Sequence, residues 1–413
     1  MSMQHQEAVT RSINPQLSLN SSSIAESFLR RIVGELECGE LVIETPAGDR
    51  LVFSGRGSGP QAKVTIHSWR CIWRLASSWD IGFAEAYSDG EWSSSNLVAL
   101  LKLASHNSAL AEPLKFLRTP RFWLRLRHAM NRNTRRGSRR NIAAHYDLGN
   151  EFYQQWLDPG MTYSAGLFSS VDQTLEQAQD AKLNRVLSLL DLAGGEKVLE
   201  IGCGWGSLAE RIMERHDCSV TGVTLSREQL AFTESRLRGR ALDGRSDIRL
   251  QDYRDVRGTF DRVVSIEMLE AVGEAYWPTY FQNLSNRLRP GGVGVLQVIT
   301  IAEDRFEDYR GRPDFIQKYI FPGGMLPTTE IIERETAKAG LKLVAKEFFG
   351  DGYARTLEEW RRRFLESWPT IEALGFDERF KRTWEYYLAY CQAGFETGAI
   401  NVGLYKVVRP QSM

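Results

Sequence analysis

Cysteine is scarce in this chain. Five occur in 413 residues, at Cys38, Cys71, Cys203, Cys218 and Cys391, and no two form a CxxC pair. An odd count without paired spacing argues against a disulfide framework or a zinc site, and it fits a reducing compartment. Long apolar runs are lacking as well: no stretch reaches the roughly 18 consecutive apolar residues that a membrane span needs. The polar stretch from Met1 to Ser22 has no apolar core of the secretory kind, so a cytoplasmic protein with a loosely held N-terminus is expected. Net charge is also absent. The 52 Lys and Arg cancel the 52 Asp and Glu, so no global field recommends a polyanionic partner.

What is present reads as an ordinary globular chain, 42% hydrophobic and 25% charged, long enough for two domains. Residues 1–112 read as a small α+β domain. Ile24 to Leu36 carries helical periodicity, and Leu41 to Phe53 alternates around a Pro46–Asp49 turn, which predicts a hairpin. Ala62 to His67 predicts a strand, Ala84 to Trp92 a polar and aromatic stretch, and Leu97 to Ala104 a helix.

The next segment, residues 113–140, reads as a basic linker. From 113 to 146 there are ten Lys or Arg, no acidic residue, and interleaved Phe116, Phe122, Trp123 and Leu126. Such a stretch suits an anionic membrane surface, where each basic residue contributes roughly 1 kcal/mol. A solvated helix between domains is the plainer reading. Nucleic acid has no further support in the chain and is not expected as a partner.

Residues 141–413 alternate helix and strand in units of about 25 residues, the pattern of an α/β, doubly wound, Rossmann-like sheet. Such sheets bind ligands at the carboxyl ends of their strands, near the point where strand order reverses. Glu200-Ile-Gly-Cys-Gly-Trp-Gly206 joins the first strand to its helix. Gly202, Gly204 and Gly206 allow a tight turn and close approach to a ligand. The spacing departs from the GxGxxG of dinucleotide sites. Glu200 ends the strand, placed to receive the amine of S-adenosylmethionine. Thr224 and Gln229 follow the second strand, on the ribose side. Asp252 and Tyr253 follow the third, where a polar group can read the adenine edge and a ring can stack.

Several motifs together resemble the cyclopropane-fatty-acyl-phospholipid synthases, within the class I S-adenosylmethionine-dependent methyltransferases. They are His145-Tyr-Asp-Leu-Gly-Asn150, Met161-Thr-Tyr-Ser164, the glycine turn, Gly222-Val-Thr-Leu-Ser226, Leu250-Gln-Asp-Tyr-Arg-Asp255 and Leu269-Glu-Ala-Val-Gly273. Lys318 to Pro327 and Tyr353 to Phe364 belong to the set, and the likeness runs from about residue 140 to 408. It implies methyl transfer from S-adenosylmethionine to the cis double bond of a phospholipid acyl chain. It adds Tyr163 and Ser164 to the cofactor set. It also implies a small N-terminal domain that assists lipid engagement.

The resemblance further implies a bound bicarbonate as base, held by Cys, Glu, His, Ile and Tyr. Here Glu270, Ile299 and Tyr353 stand at three of those positions, but Ala165 replaces the Cys and Gln297 the His. Two outcomes follow. Either bicarbonate still binds and a cyclopropane forms, or a carboxylate such as Glu270, or water, takes the proton and a methyl- or methylene-branched chain results. No metal is expected. Expected partners are an anionic membrane surface and unsaturated phospholipid chains, with a peripheral location at the inner membrane surface and a homodimer. A soluble-substrate methyltransferase and an inactive lipid-binding descendant remain as rival classes. Tyr319 to Pro327 reads as a wall or lid over the acyl chain, and the aromatics from Trp360 to Tyr390 mainly as core.

Overall fold

The computed structural model describes residues 24–31, 33–34, 36–108, 137 and 148–411. Two sheets organise it. The larger has seven strands: β5 (Lys197–Ile201), β6 (Ser219–Thr224), β7 (Ser246–Leu250), β8 (Phe260–Ile266), β9 (Leu288–Ile301), β10 (Lys342–Phe348) and β11 (Ile400–Val408). Their order is β10-β11-β9-β8-β5-β6-β7. The five strands from β9 to β7 run parallel, whereas β11 pairs antiparallel with both β9 and β10. Val198, Leu199, Val263, Val264, Val295 and Leu296 have no exposed surface. Such continuous apolar runs belong to strands covered by helices on both faces. The edge strand β10 and its neighbour β11 escaped the sequence reading; β10 buries only alternate residues in part and carries three charges.

The order reverses at β5, which lies between β6 and β8. The crevice at the carboxyl end of β5 is therefore the ligand-binding position of this architecture. The turn after β5 leads into a helix over Ser207–Arg215, and β6 leads into one over Arg227–Gly239. Ahead of β5, α3 (Leu175–Leu190) begins on a capping box in which Thr174 and Gln177 satisfy each other's backbone N–H groups. Ala178, Lys182 and Val186 share its buried face. A lysine therefore points into the core of this domain.

The smaller sheet has the order β2-β1-β3-β4, with β1 (Cys38–Glu44), β2 (Arg50–Ser54), β3 (Gly57–Ile66) and β4 (Trp92–Ser94). The β1–β2 pair is the expected hairpin, closed by Thr45 and Asp49. A long helix, α1 (Arg70–Ser88), was missed in the sequence. Its periodicity is broken at Trp79, whose backbone leaves the helical region (φ 51, ψ −124) and joins two shorter helices across a kink. Ala84 to Ser88, expected as an irregular stretch, are its last turn. α2 (Leu97–His106) is capped by Asn96.

The N-terminal domain is fastened to a helix near the other end of the chain, α4 (Glu378–Glu396). Arg382 donates to the carbonyls of Tyr87 and Trp92 at 2.6 and 2.8 Å, and its guanidinium lies over the Tyr87 ring. Tyr87 donates to Glu385, Thr383 to Ser88, and Lys102 to Glu396. Trp360, Phe364, Trp368, Trp384, Tyr386 and Tyr387 are buried, as a core reading requires. His145 and the basic segment, apart from Gly137, lie outside the described residues. Among those described, no helix is long and apolar enough to cross a membrane.

Candidate active site

The turn after β5 supplies the first wall of a large cavity. Gly202 takes φ +80°, and a Cβ there would lie 2.3 Å from the Met268 sulfur. Gly204 takes φ +54°, and a Cβ there would meet nothing within 4 Å. The first glycine permits packing beneath the turn and the second leaves room above it for a ligand. Gly206 serves packing instead, because a Cβ would strike Thr233.

Glu200 is 3% exposed, and its Oε2 has no hydrogen-bond partner. Burial pushes its carboxyl up to about 8, opposed by Lys182. The Tyr253 hydroxyl is likewise buried without a partner. Both residues line the cavity, with Tyr163, Ser164, Thr224 and Gln229. Thr224 donates to Gln229 at 2.8 Å, so these two present a joined polar edge. Asp252 differs from expectation. It does not line the cavity but is turned into its own loop, paired with Arg254 at 2.6 Å and accepting from the Arg254 N–H. An orphaned carboxylate oxygen, an orphaned phenol and an open glycine match a ligand carrying an ammonium, a ribose and a base. The residues present thus suit S-adenosylmethionine.

Beyond the turn, three of the five expected catalytic positions, Ala165, Gln297 and Tyr353, converge on a sixth residue that the sequence reading did not single out. Glu267, just after β8, takes the Ala165 backbone N–H at 3.1 Å and the Gln297 side-chain N–H at 2.7 Å on Oε1. Its Oε2 accepts from the Tyr353 hydroxyl at 2.7 Å. Glu267 and Gln297 are joined again through the backbone, Glu267 N–H to Gln297 carbonyl, at 2.8 Å. Glu270 stands apart from this trio. One of its oxygens accepts from the Ile299 N–H, and the other is buried without a partner. The sequence signal for Glu267 was available: two carboxylates at i and i+3 directly after a strand whose end faces the ligand crevice.

Glu267 has a left-handed backbone, φ 51°. A residue with a Cβ pays about 1 kcal/mol or more there relative to glycine. Its neighbours hold it regardless. Lys182 was also missed; it is 1% exposed and donates to the Ser164 hydroxyl at 2.7 Å. Burial lowers its ammonium to about 8, against the attraction of Glu267, Asp158 and Glu200. Burial raises the Glu267 carboxyl, while the Ala165 N–H, the Tyr353 hydroxyl, Lys182 and Gln297 favour its charged form. Burial and the Glu267 charge raise Glu270 to about 8. Glu267 gathers three donors and Glu270 one, so a single negative charge on this pair is better held on Glu267.

Three carboxyl groups and one ammonium thus line this end of the cavity. A bound cation would favour the ionised forms of these carboxyls, so the site suits a cationic cofactor and a cationic transition state.

The cavity, about 1550 Å³ among the described residues, exceeds the roughly 300–1,000 Å³ of ordinary small-ligand sites. It continues past Ile299 and Phe321 between the two sheets, to Ile43, Ile66, Ile72 and Leu101 of the N-terminal domain. Phe321, Pro322, Met325 and Leu326 form part of its wall, and the Met325 N–H is tied to the Glu270 carbonyl at 2.8 Å. The segment expected as a wall or lid is thereby fastened to the backbone of a site residue. Tyr386, Tyr387 and Tyr390 also reach the cavity, so part of the aromatic stripe is lining as well as core.

Comparison with known proteins agrees with this architecture. Residues 133–404 match the family model described as mycolic acid cyclopropane synthetase. The tuberculostearic acid methyltransferase of Mycobacterium tuberculosis is 38% identical over 97% of this chain and 95% of its own. The cyclopropane-fatty-acyl-phospholipid synthase of Escherichia coli is 37% identical over 85% of this chain and 88% of its own. Among solved structures, a mycolic acid cyclopropane synthase complexed with SAH and CTAB superposes with a TM-score of 0.62. It is 29% identical and covers 65% of this chain and 98% of that one. The chain is a methyltransferase that uses S-adenosylmethionine and belongs to the mycolic acid cyclopropane synthetase family.

Proposed function

We propose that this chain methylates a carbon of the cis double bond in an unsaturated phospholipid acyl chain, at an anionic membrane surface. The observation that carries the reading is the apolar cavity running from the glycine turn into the N-terminal sheet. One end is polar, anionic and suited to S-adenosylmethionine; the remainder is long, aliphatic and aromatic, and suited to a lipid tail. A soluble amine or phenol substrate needs no such extension.

When bound, S-adenosylmethionine supplies an electrophilic methyl group. The protein's own groups do the rest. Tyr163, Tyr387 and Phe321 line the cavity, and aromatic rings suit a developing carbocation. The apolar wall excludes water, which would otherwise capture that cation. A base must then remove a proton. Loss from the new methyl group with ring closure gives a cyclopropane. The same loss after a hydride shift gives a methylene branch, a second reading favoured by one observation: neither Ala165 nor Gln297 supplies the thiol and imidazole that the cyclopropane synthases place there. The relatives likewise include both a methyltransferase and a cyclopropane synthase.

The test is direct. The full chain is incubated with S-adenosylmethionine and vesicles of cis-unsaturated phosphatidylglycerol, and the released acyl chains are weighed by mass spectrometry. A gain of one methylene mass is expected. Cofactor binding without any gain overturns the proposal.

A further inference from the structure

Glu267 carries an inference that rests on this reading and deepens it. Three independent donors, the Ala165 N–H, the Gln297 amide and the Tyr353 hydroxyl, converge on one carboxylate beside the cofactor turn. Donors arranged this way around a void would capture a small planar anion from solution. Here the chain fills that place itself, at the cost of a left-handed backbone that glycine would adopt freely. A side chain kept against such a cost is held for what it does. Packing does not explain it: Glu267 lines the cavity, and the adjacent Glu270 adds repulsion.

We propose that Glu267 is the built-in general base of the reaction, taking the place of a dissociable anion. The π pair of the alkene forms the new carbon–carbon bond as the methyl leaves sulfur, and the other alkene carbon becomes a cation. The Glu267 carboxylate takes a proton from the new methyl group. The electron pair of that C–H bond closes the ring onto the cation, or forms an exocyclic double bond after a hydride shift. Glu267 ends as a neutral acid and returns its proton to solvent when product leaves. Glu270, with only the Ile299 N–H as donor and its other oxygen unpartnered, is the weaker place for the negative charge of the pair.

The decisive experiment compares the full chain with Glu267→Gly and Glu267→Gln in buffer stripped of bicarbonate, using phosphatidylglycerol vesicles. The wild type is expected to keep its rate within about twofold on stripping. Glu267→Gly is expected to lose about 100-fold or more, then regain at least about tenfold with added bicarbonate. It should bind S-adenosylmethionine normally and melt no lower than the wild type, because the backbone strain is gone. Glu267→Gln, whose amide still fills the place, should be slow and unresponsive. Isotope-labelled bicarbonate should show a bound NMR signal with Glu267→Gly and none with the wild type. A wild-type rate that collapses on stripping, or a Glu267→Gly variant that stays active without anion, overturns the assignment. A wild type that methylates no lipid overturns the proposed function instead, and labelled bicarbonate binding still tests Glu267.

Discussion

The hydroxyl of Tyr353 donates to the carboxylate of Glu267 at 2.7 Å, joining residues 86 positions apart. The bond holds the carboxylate at the cavity wall and favours its charged form. Tyr353→Phe removes that support while keeping the ring. We expect the rate to fall about 10- to 100-fold with cofactor affinity unchanged. The Glu267 pKa should rise, so the acid limb of the pH–rate profile moves to higher pH. Steady-state kinetics across pH, with calorimetric cofactor binding as control, checks both.

Glu200 makes cofactor binding pH-dependent. Its carboxyl is neutral below about 8 in the free protein, and a cationic ligand binds the ionised form. Binding therefore expels a proton, and affinity should strengthen as pH rises toward 8, by at most about tenfold per unit for one proton. Lys182 and Glu270 titrate in the same range. Glu200→Gln isolates the contribution: calorimetry should show weaker binding and a flatter pH dependence.

The two forward glycines of the turn should behave differently. Gly202→Ala places a methyl against Met268 at a positive φ, so stability should fall by about 2 kcal/mol or more. Gly204→Ala meets no protein atom. It should cost about 1 kcal/mol of stability yet weaken S-adenosylmethionine binding by at least about tenfold. Thermal melts with and without cofactor separate the two.

Arg382 fastens α1 and β4 of the N-terminal domain to α4 through two backbone carbonyls. Arg382→Ala leaves both without this donor and should cost about 2–3 kcal/mol. Lipid methylation should fall more than cofactor affinity, because the cavity wall beyond Phe321 comes from the N-terminal sheet. Vesicle turnover and calorimetry on the same preparation check this.

Much of this site was legible because its parts obey local rules. The glycine turn follows a buried strand with an acidic residue near its end and announces a switch-point crevice. Glu270, Gln297, Ile299, Tyr353 and Ala165 were located by motif resemblance, and four of them do meet Glu267 or Glu270 through hydrogen bonds donated by Ala165, Gln297, Ile299 and Tyr353. Glu267 escaped because resemblance points only to positions that match, and its importance lies in filling a place rather than matching one. Lys182 was readable from its i, i+4 neighbours Ala178 and Val186, yet lysine is so seldom buried that the spacing alone does not single it out. Asp252 was misplaced because a strand-end acid can cap its own turn as readily as face a ligand. α1 was lost to one residue, Trp79, whose backbone geometry no periodicity encodes.

The central claim is carbon methylation of a lipid chain with a proton lost from the incoming methyl group. The most direct measurement uses S-adenosylmethionine bearing a trideuterated methyl group, unsaturated phosphatidylglycerol vesicles, and mass and NMR analysis of the product chains. The account predicts a labelled acyl chain that keeps two deuteriums and has lost the third, whether the product is a ring or a methylene branch. Label confined to the head group, or an acyl chain retaining all three deuteriums, contradicts it.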